Sequence, residues 1–290
     1  LITGINGFTG RYLATELQAA GYRVFGISRE PDSSAPDRYT VDLCNRAELA
    51  AVVTEVRPAV VAHLAAISFV AHDDAEAIYR VNILGTRHLL DALAALSAPP
   101  DAVLLASSAN IYGNAPVELI DELVPQAPAN DYAVSKLAME YLARLWMDRL
   151  PIVITRPFNY TGVGQAPQFL LPKIVSHFRA RSPEIALGNI DVARDFSDVR
   201  AVAAAYRRLL DAAPPGEVFN VCSGTAHTLT DVLRIMADIA GYEINVTVNP
   251  AFVRANEVKR LVGSNHKLAD CIGPLPDISL KATLGWMYGA

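Results

Sequence analysis

Charge is thin in this chain, lysine is scarce, and cysteine is scarcer still. Only 19% of the 290 residues are charged and the net charge is -5. That balance leaves no basic footprint for nucleic acid or an anionic membrane surface. The three cysteines, Cys44, Cys222 and Cys271, are odd in number and widely spaced. They argue against a disulfide framework and for reduced thiols in a cytoplasmic setting. The histidines, His63, His72, His88, His177, His227 and His266, form no ligand-spaced cluster with cysteine. No metal site is expected, and they read as surface or packing residues. No uninterrupted apolar run reaches the length of a membrane helix, and neither a signal peptide nor a repeat is visible. Residue 1 already reads as strand, so the natural start is expected a few residues upstream.

What is present is an ordinary globular composition, 52% apolar, enough to bury one large α/β domain or two unequal ones. Leu1-Ile2-Thr3 reads as the end of a buried strand. Gly4-Ile5-Asn6-Gly7-Phe8-Thr9-Gly10 follows, then a helix with Leu13, Ala14 and Leu17 on one face, ending at Gly21. Strand, glycine turn and helix in that order suit a dinucleotide. The glycines let backbone approach closely, and the helix N-terminus offers free N–H groups to a pyrophosphate. A second strand over 22–27 leads to Ser28-Arg29. An NAD-preferring site would place a carboxylate there for the ribose 2′-hydroxyl. A hydroxyl and a guanidinium suit a 2′-phosphate instead, so NADP(H) is the expected cofactor, with NAD(H) as the second choice.

Val41-Asp42-Leu43 ends a third strand. The run over 59–66 reads as a buried parallel strand ending in Leu64-Ala65-Ala66, followed by Ser68 where α/β ligands bind. Residues 102–106 form the next buried strand, leading into Ser107-Ser108-Ala109-Asn110-Ile111-Tyr112-Gly113. Further on, Tyr132 and Lys136 are four apart on a helix expected over 132–148, and so share a face. With 11 tyrosines and five lysines, roughly 0.2 such pairs are expected by accident. An ammonium beside a phenol is expected to lower the phenol's pKa and ready it for proton transfer at a carbonyl or alcohol oxygen. Leu137, Tyr141, Leu142 and Leu145 supply the expected core face of that helix. A strand over 152–155 ends in Arg156-Pro157-Phe158-Asn159, after which the strand-helix alternation loosens.

The glycine spacing resembles the short-chain dehydrogenase/reductase superfamily in its extended form. TGINGFTG, SSANIYG, YAVSK, RPFNYTGVGQ, GNIDVARDFSDV, NVCSG and VRANEVKRLVGSNHKL together resemble enzymes of GDP-mannose-derived sugars over essentially the whole chain. Within these, the chain is most similar to GDP-4-keto-6-deoxy-D-mannose reductases, which form GDP-D-rhamnose. The sister dehydratases carry Glu where Asn110 stands, and neither Ala109 nor Asn110 can shuttle the proton that dehydration needs.

The resemblance implies a Rossmann-type doubly wound parallel sheet over 1–160 and about 193–223. It also implies a smaller mixed α/β substrate domain over about 161–192 and 224–290. It assigns catalysis to Ser108, Tyr132 and Lys136. The cofactor falls to Gly4, Asn6, Gly7, Phe8, Thr9, Gly10, Ser28, Arg29, Asp42, Leu43, Leu64, Ala65 and Ala66, with Tyr132, Lys136, Pro157 and Phe158 at the nicotinamide. A GDP-linked 4-keto-6-deoxy sugar falls to Ser68, Ser108, Asn110, Asn159, Lys173, Gly188, Arg194, Arg254 and Glu257. Asn82 of the Asn-x-x-Gly-Thr segment is implied to fix the central strands. A homodimer through a bundle including the Tyr132 helix is also implied. Alternatives are reduction on the opposite face to GDP-6-deoxy-D-talose, epimerisation at C4, and, against the presence of Ser108, Tyr132 and Lys136 together, a non-catalytic cofactor-sensing binding protein on the same fold.

Overall fold

Alternation along the buried strands decides which helices cover which face of the main sheet. The structure is a computed structural model and describes residues 1–31, 37–68, 74–250 and 258–290. Its first half runs β1 (Ile2–Thr3), α1 (Phe8–Ala19), β2 (Gly26–Ser28), β3 (Arg38–Thr40), α2 (Arg46–Val56), β4 (Val60–His63) and α3 (Ala75–Tyr79). A π-helical turn (Arg80–Gly85), α4 (Thr86–Ala94), β5 (Ala102–Ala106), a tight helical turn (Ala109–Tyr112), α5 (Asp131–Arg144) and β6 (Ile152–Pro157) complete that half. The second half runs β7 (Asn159–Thr161), α6 (Leu170–Arg179), β8 (Glu184–Leu187), β9 (Ala193–Asp198), α7 (Val199–Ala212) and β10 (Val218–Val221). It ends with β11 (Ala226–Thr228), α8 (Leu229–Ala240), β12 (Asn245–Val248), β13 (Arg260–Leu261), α9 (His266–Ile272) and α10 (Leu280–Gly289).

Among the described residues, seven strands form one sheet in the order β10-β6-β5-β4-β1-β2-β3, every pair parallel. This is the expected doubly wound, Rossmann-like sheet. Val103, Leu105, Ile152 and Ile154 point to one face, against Leu49 and Val53 of α2, Leu89 and Leu93 of α4, and Met139 and Ala143 of α5. The intervening Leu104 and Val153, with Ala62 and Phe219, face Leu13 and Leu17 of α1 and Val202, Tyr206 and Leu209 of α7. A period of two in the strands thus feeds two helical layers. The strand order reverses between β1 and β4, the place where such sheets bind ligands outside their carboxyl ends.

A second core lies outside this sheet. Ile174 and Phe178 of α6, Val232 and Met236 of α8 and Leu284 and Met287 of α10 pack with Ile185 and Leu187 of β8. α8 starts at a reciprocal cap between Thr228 and Asp231 and ends at Gly241 in the left-handed conformation. Tyr112, Phe158, Cys222 and Leu261 form a small cluster of their own.

Several expected boundaries move. The second strand forms only at Gly26–Ser28 because its partner β1 offers two residues, Ile2 and Thr3, to pair with Gly26 and Ile27. The third strand stops at Thr40, before Val41. α5 stops at Arg144, and its expected core face is half wrong: Tyr141 is 54% and Leu145 73% exposed. The buried side of that helix is instead lined by Ala133, Met139 and Ala143, with Tyr132 and Lys136 buried beside them. The three cysteines are unpaired, and no helix among the described residues is long and apolar enough to cross a membrane.

Candidate active site

The glycine turn is built around one bend. Gly4 has φ +73°, and a Cβ there would stand 2.8 Å from the backbone of Ala65. A Cβ on Gly10 would fall on the Gly4 carbonyl oxygen and 2.7 Å from the Ile5 Cα. Only glycine fits either place, and the result brings β1, the start of α1 and the end of β4 together. α1 has no side-chain cap and no acidic residue in its first turn, so its leading N–H groups and positive end suit an anion. Asn6 Nδ2 donates to Ser28 Oγ at 3.2 Å, and Ser28 Oγ donates to the Glu30 carbonyl at 2.7 Å. Arg29 is exposed beside them. Thr9 Oγ1 lies 2.7 Å from Tyr160 Oη, and Phe8 stacks on the Tyr160 ring at 6.0 Å. Asp42 is exposed and accepts from the Cys44 N–H at 2.8 Å. Leu43 packs under Gly85, and Leu64, Ala65 and Ala66 stand half-buried at the end of β4. A glycine bend, an uncapped helix start and the exposed guanidinium of Arg29 after β2 fit a phosphorylated dinucleotide, whereas the Ser28 hydroxyl, expected at the phosphate, is buried and gives its proton to the Glu30 carbonyl.

Ser108, Tyr132 and Lys136 converge at the carboxyl end of β5. Asn130 caps α5 by accepting from the Ala133 N–H at 2.9 Å, which fixes where the helix and Tyr132 begin. Lys136 Nζ donates to the Ala106 carbonyl at 2.7 Å, tying the helix to the last residue of β5. Ser108, two residues on, caps the short helical turn and accepts from the Asn110 N–H at 3.2 Å and from Asn110 Nδ2 at 3.1 Å. All three are buried, at 5%, 8% and 3% exposure.

The electrostatics differ from the sequence expectation. Burial pushes the Tyr132 phenol well above its ordinary range, and the hydrogen bond with Ser108 opposes that only in part. Lys136 is itself pulled down to about 8 by burial, with Glu140, one turn on, acting the other way. Burial, and not a pairing with Lys136, sets the Tyr132 phenol. The phenol is therefore held as an acid with a proton to give.

Glu140 is a buried ion-pair residue beside the candidate site that the sequence alone did not single out. It continues the Tyr132 and Lys136 face at a spacing of four and is fully buried. Its carboxylate takes two hydrogen bonds from Arg156, at 3.0 and 2.7 Å. Arg156 also donates to Tyr112 Oη at 2.8 Å, and Tyr112 donates to Asn220 Oδ1 at 2.8 Å. One buried ion pair thus ties α5 to β6, the turn after β5 and β10.

His63 was the other omission, read as a packing residue. It is 2% exposed, and burial, then the Lys136 charge, pulls its pKa down to about 3. Its neighbours fix its protons. Thr86 Oγ1 donates to the Asn82 carbonyl at 2.7 Å, so it must accept from His63 Nε2 at 2.8 Å. His63 Nδ1 then accepts from Thr3 Oγ1 at 2.7 Å, which in turn accepts from the Ala65 N–H at 3.3 Å. Asn82 lies in the π-helical turn, where its side chain bonds both the N–H and the carbonyl of Ile67. It also donates to Ser135 Oγ at 3.0 Å, and Ser135 donates to the Tyr132 carbonyl at 2.7 Å. A neutral hydrogen-bonded chain therefore runs from the glycine turn to the first turn of α5. The signal for it was a histidine in an otherwise apolar strand, which must find partners.

The remaining candidates are spread around this centre. Pro157 ends β6, and Phe158 is 3% exposed with its ring against Gly263 and 6.3 Å from Tyr112. Asn159 is exposed at the start of β7, Ser68 is exposed after β4, and Gly188 is half-buried after β8. Lys173 Nζ donates to the Ala186 carbonyl at 2.7 Å. Arg194 is buried on β9, and its guanidinium donates to the carbonyls of Ala193 at 3.0 Å and Lys259 at 3.1 Å. Its neighbour Asp195 holds the loop after β10, accepting from the Ser223 N–H, the Ser223 hydroxyl and the Gly224 N–H. Asp198 pairs with Arg200 and accepts from Thr283. Arg254 and Glu257 lie outside the described residues.

A Rossmann-like sheet with a serine, a tyrosine and a lysine at the carboxyl end of its central strands defines a short-chain dehydrogenase/reductase type of protein. The sequence profile of one such group matches residues 1–287, and the chain belongs to that family, GDP-mannose 4,6 dehydratase. Two characterised relatives narrow the comparison. The chain is 35% identical to a GDP-6-deoxy-D-mannose reductase of Pseudomonas aeruginosa, over 98% of this chain and 93% of the relative. It is 32% identical to a GDP-6-deoxy-D-talose 4-dehydrogenase of Aggregatibacter actinomycetemcomitans, over 99% and 96%. Among solved structures, a Burkholderia cenocepacia protein named only provisionally as an epimerase is 55% identical. It superposes with a TM-score of 0.93 over 99% of this chain and 96% of the other. The RMD protein of Pseudomonas aeruginosa, solved with NADPH, is 33% identical with a TM-score of 0.86, over 99% and 95%.

Proposed function

We propose that this protein reduces the C4 keto group of GDP-4-dehydro-6-deoxy-D-mannose to GDP-D-rhamnose with NADPH, as a cytoplasmic enzyme. The observation that carries the reading is the acid pair Ser108 and Tyr132 beside Lys136, with a carboxamide, Asn110, where dehydration would need a proton shuttle. NADPH, when bound, supplies the hydride that reaches C4. Tyr132 gives its proton to the C4 oxygen as the carbonyl becomes an alcohol. Ser108 donates a hydrogen bond to the same oxygen and holds it in line. Lys136 anchors the helix to β5 and carries the charge that replenishes the phenol's proton. The glycine turn and Arg29 favour the phosphorylated cofactor, a preference in keeping with the relative solved with NADPH. The reading gives the cofactor to residues 1–160 and about 193–223 and the GDP-sugar chiefly to the remainder, with Asn159 and Arg194 of the first part joining Lys173 and Gly188 at its nucleotide end.

Val134, Tyr141 and Leu145 lie on one side of α5 with 39%, 54% and 73% exposure, and Leu84 nearby is 47% exposed. That apolar side supports a homodimer through α5.

The test is to supply GDP-4-dehydro-6-deoxy-D-mannose and NADPH and follow loss of NADPH absorbance. One NADPH should be consumed per sugar, and Tyr132→Phe should abolish the reaction. No consumption, or a Tyr132→Phe variant as active as wild type, refutes the proposal. The talose relative favours a second reading, reduction on the opposite face to GDP-6-deoxy-D-talose; product NMR at C4 separates the two. An epimerase would interconvert sugars without net loss of NADPH.

A further inference from the structure

We propose that Asn110 is a positioning residue that fixes the direction of the Ser108 hydroxyl, making it an obligate hydrogen-bond donor towards the reacting oxygen. A serine hydroxyl has one proton and two acceptor sites. In the structure Ser108 Oγ accepts twice from one residue, from the Asn110 backbone N–H at 3.2 Å and its side-chain Nδ2 at 3.1 Å. The first bond is the ordinary cap of the turn Ala109–Tyr112. The second is extra, and it uses the remaining acceptor site. The proton of Ser108 is then left to point away from Asn110, on the side where Tyr132 lies. Ser108 is 5% exposed, so solvent offers little competition for that proton. A carboxylate at this position would only accept. It would take the Ser108 proton and turn the hydroxyl's lone pairs towards the substrate oxygen, the wrong polarity for a carbonyl gaining negative charge. The carboxamide thus has a role beyond the absence of a shuttle: it sets the polarity of its neighbour.

This inference rests on the reductase reading, and Asn110→Asp separates the two. The variant keeps the shape of the side chain and removes the donor wherever the new carboxyl is ionised. With the wild type active, kcat of Asn110→Asp should fall on the order of tenfold to a hundredfold at pH 8, with KM for the sugar little changed. Activity should recover as pH falls and the carboxyl regains a proton to donate, a limb that wild type lacks. A wild-type kcat and pH profile in the variant overturns the inference and leaves the reductase reading intact. If wild type reduces nothing, a crystal structure of Asn110→Asp at pH 8 decides. The inference requires the Ser108 hydroxyl to turn to the carboxylate, at about 2.6 Å; an unmoved Ser108 overturns it.

Discussion

His63 should make the protein's stability fall as pH drops below about 6.5. In the folded state its ring sits between Thr3 and Thr86 and is held neutral, with a pKa of about 3 against an ordinary 6.5. Above pH 6.5 the ring is neutral in both states and costs nothing. Between about 6.5 and 3 the unfolded chain binds a proton that the folded chain refuses, so stability is lost as pH falls. At pH 5 the unfolded ring is almost fully protonated, and the loss is about 2 kcal/mol relative to pH 8. His63→Gln retains a donor and an acceptor but cannot titrate. Its absolute stability should be lower at pH 8 because the chain of bonds is imperfectly replaced. The stability gap between wild type and variant, from urea unfolding at both pH values, should then shrink by about 2 kcal/mol at pH 5. A gap that stays constant or widens refutes a neutral, doubly bonded His63. Nitrogen NMR of the ring should independently report the Nε2–H tautomer at pH 7.

Glu140→Gln leaves Arg156 buried without its counter-charge and should cost about 3–5 kcal/mol, measured by chemical denaturation. The same variant removes the negative charge that holds up the Lys136 pKa, so the fall of kcat with rising pH, expected near 8 in wild type, should move to lower pH. Gly10→Ala puts a methyl group onto the Gly4 carbonyl oxygen. It should destabilise the protein by about 1–3 kcal/mol and weaken NADPH binding, read by NADPH fluorescence titration. Leu145→Glu on the exposed side of α5 should shift the protein to monomer in sedimentation experiments if that side pairs two copies.

Much of the candidate site could be read from the chain because its residues lie on short local spacings. Tyr132 and Lys136 share a helical face, Ser108 follows a buried strand, and the glycines sit between a strand and a helix. The unseen parts were long-range. Arg156 reads as the end of a strand, and nothing in its neighbourhood says that a carboxylate on α5 waits for it. His63 looked like any packing histidine until Thr3 and Thr86, far from it along the chain, supplied its partners. The second core was faint because its strands are short: among the described residues β8 and β12, four residues each, pair with each other alone. The face of α5 was misjudged because apolar residues ring the helix on more than one side. Periodicity alone then cannot tell a core side from an exposed one. The expected effect of Lys136 on Tyr132 failed for a different reason. Proximity in sequence carries a charge–phenol pairing, but the depth of burial that overrides it belongs to the fold.

The most direct measurement is transfer of deuterium from NADPH labelled at the nicotinamide C4 to the sugar of GDP-4-dehydro-6-deoxy-D-mannose. The account predicts one deuterium at C4 of the product, in the configuration of GDP-D-rhamnose, and none with Tyr132→Phe. Unlabelled product, label elsewhere on the sugar, or recovery of the unreduced keto sugar would contradict it.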